Sequence, residues 1–146
     1  MPAVIRRAES YRAFKLRPDA ENYFACLVDP AEPSRNAAAF AAMVEIYPCR
    51  GSVASERDSD AQELTFVLKG KGKAWCGGEP RLIEPGDTIV TSAGADRLIE
   101  NVGPGKLYTF TVTASREALA RIARDGIEVP LDDEDLGVLR RMPLRR

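Results

Sequence analysis

The chain has no histidine among its 146 residues, so the commonest general base and the commonest metal ligand are both missing. Chemistry at neutral pH must come from carboxylates, phenols, thiols and guanidinium groups. Three cysteines, Cys26, Cys49 and Cys76, form an odd set without metal-ligand spacing. Cys76 reads as a small structural residue rather than a nucleophile, because no histidine can activate it, and Trp75 reads as a core or interface residue. Both are candidate ligand contacts if their strand turns them toward a cavity. Tyr108 carries a phenol able to give up a proton or donate a hydrogen bond if it faces inward. Gly70-Lys71-Gly72 lacks the rest of a phosphate-loop pattern, and Lys69, Lys71 and Lys73 read as charges that keep a strand edge soluble.

The elements that must position these residues centre on Glu63 to Asn101. Leu64 to Leu68 alternates as a strand, Gly70-Lys71-Gly72 turns, Lys73 to Cys76 runs into the Gly77-Gly78 hairpin turn, and Arg81 to Glu84 returns. Glu84-Pro85-Gly86-Asp87 is a turn with φ preset at proline, and Thr88 to Thr91 leaves it as the next strand. Upstream, Ala3 to Ile5 and Tyr11 to Leu16 suggest edge strands or an arm, and Asn22 to Val28 suggests a strand ended by Asp29-Pro30. Ala37 to Tyr47 mixes helix-favouring alanines with the alternating Met43 to Tyr47, whose half we read as strand. Downstream, Leu107 to Thr113 is strongly β-prone, with threonines on one face and Tyr108, Phe110 and Val112 on the other, the face expected in the core. Ser115 caps a helix from Arg116 to Arg124 that stops at Asp125-Gly126, and Asp132 or Asp133 opens a last helical turn to Arg141.

Many short strands followed by one or two helices describe a mainly β chain, and its length suits a single domain. Acidic and basic residues cancel to a formal net charge of -1, leaving no field that would draw nucleic acid or an anionic membrane surface. The unpaired cysteines, and an N-terminus unlike a signal peptide or membrane span, predict a cytoplasmic protein.

From Gly51 to Thr113 the residues resemble the cupin superfamily of small jelly-roll β-barrels. Gly51, Glu63 and Gly70 fall at the spacings of the first cupin motif, and Gly86, Gly94 and Asn101 at those of the second, with Ser92 where proline is usual. The resemblance implies a single cupin domain over 1–146: N-terminal strands or arm over 1–36, barrel core over 37–113 and a C-terminal helical segment over 114–146. In the family, two histidines and the glutamate of the first motif join the histidine of the second around one divalent metal. Here the second-motif position holds Arg97, and the first-motif pair is Arg57 and Ser59 in one register or Glu56 and Asp58 in the other. Arginine stays protonated and offers only donors, so the resemblance implies a cupin without the usual metal site.

If Glu63 and Arg97 point inward like their counterparts, the guanidinium takes the place and charge of the missing cation, either as a structural ion pair or as part of a site. The expected function is metal-independent and cofactor-free: Glu63 as base, Arg97 as charge stabiliser and Tyr108 as acid, in isomerisation, epimerisation, cyclisation or elimination of a small polar or anionic molecule. Arg57, Asp58, Ser59, Trp75 and Cys76 complete the expected ligand contacts. A binding or sensing barrel without chemistry is the second expectation, and a metal held by Glu56, Asp58 and Glu63 the third. The family's habit of pairing outer sheet faces, often exchanging an N-terminal strand, implies a homodimer.

Overall fold

A computed structural model describes residues 4–29, 40–56 and 59–141. Arg57, Asp58, Ala37 and the terminal Arg145-Arg146 lie outside these residues. The structure is built from two antiparallel sheets. In chain order the strands are β1 (Arg12–Lys15), β2 (Tyr23–Cys26), β3 (Ala41–Tyr47), β4 (Val53–Glu56), β5 (Glu63–Lys69), β6 (Gly72–Trp75), β7 (Arg81–Ile83), β8 (Thr88–Thr91), β9 (Arg97–Asn101), β10 (Leu107–Thr113) and β11 (Ile127–Val129). Two helices, α1 (Arg116–Asp125) and α2 (Asp133–Arg141), stand on either side of β11. The larger sheet runs β11-β1-β2-β3-β10-β5-β8 and the smaller β4-β9-β6-β7. No helix among the described residues is long and apolar enough to cross a membrane.

Local chemistry sets the corners. Between β7 and β8, Gly86 adopts φ +98°, which a Cβ disfavours, and Asp87 closes the turn by accepting from the Glu84 amide at 2.8 Å. After α1, Gly126 is extended rather than left-handed. A Cβ there would sit 2.5 Å from the Ile122 carbonyl and 3.1 Å from the Phe14 ring, so close packing, not turn geometry, requires the glycine. This tight exit lets the chain re-enter the sheet as β11, a strand the sequence reading does not anticipate. Nor is the N-terminal segment an edge or an arm over Arg12–Lys15. β1 pairs with β2 on one side and β11 on the other, reinforced by Arg12 against Glu128.

Apolar residues form three clusters. Tyr47, Val67, Ala74, Ile83, Ile99 and Leu107 fill one end of the space between the sheets. Phe14, Cys26, Ala41, Met43 and Ile122 close the other end beneath α1. Ala25, Val44, Ile46, Tyr108 and Leu139 lie on the opposite face of the larger sheet, where α2 covers it. Stepping along β10 from Leu107 to Thr113 therefore leads from the first cluster through a polar layer to the second, with Glu45 opposite Thr109 and Thr65 opposite Thr111.

Candidate functional site

Arg97 begins β9 in the smaller sheet and points inward with Ile99 and Asn101, as the two-residue period of a strand requires. Its guanidinium meets carboxyl groups from three other strands. Nη1 lies 3.7 Å from Glu63 at the start of β5, and Nη2 lies 3.6 Å from Glu45 on β3 and 3.8 Å from Glu56, its cross-strand partner on β4. All three separations are ion-pair distances, longer than a hydrogen bond. The hydrogen bond itself goes elsewhere, from Nη1 to Thr65 Oγ1 at 2.6 Å.

The hydroxyls behind Arg97 form a chain whose direction follows from donor counting. Thr109 and Thr111 both reach Glu45 Oε1, at 2.7 and 2.8 Å, and each spends its only hydrogen there. In the 2.9 Å contact between Thr65 and Thr111, Thr65 must then be the donor. The polarity runs Arg97 to Thr65 to Thr111 to Glu45, and every buried hydroxyl in it is satisfied. Two inward polar atoms are not: the Tyr47 hydroxyl and Arg97 Nε have no hydrogen-bond partner, although both residues are buried.

Burial raises the Glu63 carboxyl to about 8, helped by a hydrogen bond and repulsion from Glu56 and opposed by Arg97. Glu63 therefore holds its proton at neutral pH. For Arg97, burial works against the charge, but Glu45, Glu63 and Glu56 more than offset it and hold the guanidinium above its ordinary value. Glu63 is thus a neutral acid, not the free base expected, and Arg97 is already shared among three carboxyl groups before any ligand arrives.

These groups line a cavity of about 670 Å³. Helix α1 flanks its mouth with Ala118 and Arg121, while Ile122 anchors the helix in the apolar cluster below. Ser115 fixes the helix start: it accepts from the Ala118 amide at 3.0 Å and donates to Asp60, just ahead of β5. The segment leading to Glu63 and the helix over the cavity are thereby joined.

Of the expected site residues, Glu63, Arg97 and Ser59 meet at this cavity, with Ser59 turned to the Ala61 carbonyl at 2.9 Å. Arg57 and Asp58 lie outside the described residues. Tyr108 is not in the barrel. It lies on the far face of β10, where its hydroxyl donates to Asp135 Oδ1 at 2.6 Å beneath α2. The threonine face, not the aromatic one, points between the sheets. Trp75 is also absent from the cavity, with Lys73 over its ring at 5.7 Å, and Cys76 is exposed past the end of β6. Sequence reasoning missed Glu45, Tyr47, Thr65, Thr109 and Thr111. The signal for the first two was alternation, since Met43, Glu45 and Tyr47 share a face, but Val44 and Ile46 on the other face are equally apolar.

The cavity does not suit the divalent ion of the family. Arg97 occupies the position of a ligand, cannot coordinate, and brings positive charge into the middle of the carboxyl groups. Among the described residues no three acidic or cysteine side chains are placed to hold a metal ion.

A two-sheet barrel with inward motif residues from β5 and β9 is the architecture of a cupin, and residues 42–113 match the cupin domain family. The chain belongs to the cupin superfamily. It is similar to the Schizosaccharomyces pombe Cnp3 cupin domain, at 19% identity over 70% of this chain and 66% of that one, with a TM-score of 0.54. It thus spans just under two thirds of that domain. A Cupin 2 conserved barrel domain protein from Salinispora arenicola aligns at 19% identity over 75% of this chain and 89% of its own, with a TM-score of 0.57. A "predicted oxalate decarboxylase" from Thermotoga maritima aligns at 21% identity over 75% and 97%, with a TM-score of 0.59. These likenesses establish the fold. No curated protein matches the sequence.

Proposed function

We propose that the barrel binds a small polar molecule and catalyses a proton transfer on it, of the isomerase, epimerase, cyclase or lyase type, without a metal. The observation that carries this reading is the pair Glu56 and Glu63 beside Arg97 on the wall of the cavity. Glu63 enters the reaction protonated and delivers its proton to the substrate, while Glu56 removes one from a neighbouring atom. Because both carboxyl groups flank the same guanidinium, proton transfer from Glu56 back to Glu63 then resets the pair, so an isomerisation leaves the enzyme unchanged. Arg97, charged and oriented through Thr65, steadies negative charge that develops between the two steps.

Native mass spectrometry of the purified protein, paired with elemental analysis, tests the binding part. Incubating any retained molecule with the protein in deuterated water tests the chemistry. The expected result is no stoichiometric metal and deuterium incorporation that stops in Glu63→Gln. Retention without exchange selects the second reading, a binding or sensing barrel, which the unpartnered Tyr47 hydroxyl and Arg97 Nε favour as fixed donors for a ligand oxygen. A stoichiometric metal refutes metal independence.

The same proposal extends to assembly and location. Leu64, Phe66 and Val90 are exposed on the outer face of the larger sheet, and cross-strand pairing places them in one patch with Phe110 and Val112. A second copy of the chain covers that patch, giving a homodimer. Cys26, Cys49 and Cys76 are all free thiols, which suits the cytoplasm.

A further inference from the structure

We propose that the molecule held in the barrel carries a cationic amine next to a neutral oxygen, seated on the cavity side of Glu45, Glu56 and Glu63. The inference rests on the reading of the cavity as a ligand site and adds the class of ligand. Three carboxyl groups face one guanidinium, and none of the three receives a hydrogen bond from it. An anion entering here meets more negative than positive charge, whereas an ammonium supplies the short donors that Arg97 does not. At the mouth the charges even out, with Arg17 and Arg121 against Asp60 and Glu117, so selection falls to the interior.

A second observation is independent of the acidic groups. The Tyr47 hydroxyl, wholly buried, and Arg97 Nε both lack partners, and Tyr47 and Arg97 both line the cavity. Both are donors that call for a neutral acceptor oxygen, which an amino alcohol provides beside its ammonium. The requirement differs from that of a metal ion, which needs several oxygens converging within its short coordination distance. An ammonium needs only two or three acceptors at hydrogen-bond length and leaves Arg97 where it is.

Three probes of matched size separate the possibilities: ethanolamine, ethylene glycol and glycolate, titrated at neutral pH and followed by ligand-observed NMR. Ethanolamine is expected to bind about ten-fold or more tightly than ethylene glycol, the worth of one charge-assisted hydrogen bond, and glycolate is expected to show no saturable binding. Glu56→Gln, on a partly exposed edge strand where folding tolerates it, is expected to weaken ethanolamine about ten-fold. Ala118→Trp, which narrows the mouth, is expected to abolish binding, with thermal melts confirming that both variants fold. Ethylene glycol or glycolate binding as tightly as ethanolamine, still blocked by Ala118→Trp, overturns the cationic class and leaves the barrel as the site. Ethanolamine binding that survives both substitutions overturns the barrel site as well. No saturable binding of any probe overturns the cationic class.

Discussion

Glu63 carries a proton that an unfolded glutamate would lose near pH 4.5 and that the folded chain keeps up to about pH 8. Because the folded value is raised, the protonated carboxyl contributes its full stability below about pH 4.5, and that contribution is lost as the pH climbs through about 8. Thermal melts of the wild type and Glu63→Gln are therefore expected to diverge with rising pH, the variant gaining on the wild type until the difference levels off above about pH 8. Parallel curves would show that Glu63 is an ordinary carboxylate. Arg97→Met leaves Glu45 and Glu56 facing each other beside the neutral Glu63 without a compensating cation and is expected to cost about 3–5 kcal/mol at neutral pH, read by chemical denaturation. Adding Glu56→Gln to it should recover part of that loss. Both residues were legible because the cupin motif spacings mark their positions. Glu45 and Tyr47 were not, because a strand with apolar residues on both faces does not say which face encloses the cavity.

β10 serves two surfaces at once. Thr109 and Thr111 hold Glu45 on the inside, while Tyr108 is tied on the outside to Asp135, which Tyr23 also reaches at 2.7 Å and Lys106 at 3.0 Å. Asp132 and Asp135 brace the start of α2 by accepting each other's amides, at 2.8 and 3.2 Å. Tyr108→Phe keeps the ring and removes one buried hydrogen bond. It is expected to cost about 1–3 kcal/mol of stability and to leave ligand binding in the barrel unchanged, a pairing of results that calorimetry of unfolding and the NMR titration can read together. Loss of binding would return Tyr108 to the site. The mistaken face arose from a sound rule in the wrong setting. Alternation identifies the core when one side of a sheet is wet, but here α2 buries Tyr108 on the outer side and the interior is itself polar. The helices were legible from their caps, Ser115 and the acidic run Asp132 to Asp135, whereas β11 is too short to announce itself and exists only because Gly126 lets α1 pack against Phe14.

For the whole molecule, sedimentation at micromolar concentration is expected to show a dimer, and Phe66→Lys combined with Val90→Lys a folded monomer. A monomeric wild type would refute the pairing. Within one chain, β1 is paired on both sides, with β2 and with β11. That pairing has a consequence for the order of events as the chain is made. Arg12 meets Glu128, Tyr23 meets Asp135, and Glu9 meets Arg140, so segments made early bind partners that follow more than a hundred residues later. Until β11 emerges, β1 presents an open row of amides and carbonyls beside the exposed Phe14 ring, a template for any stray strand. Folding closes only when more than a hundred intervening residues have been brought round, and such distant contacts form slowly. In the interval a nascent chain of this design depends on whatever shields its first strand, and shortening the C-terminal segment would prolong that interval indefinitely.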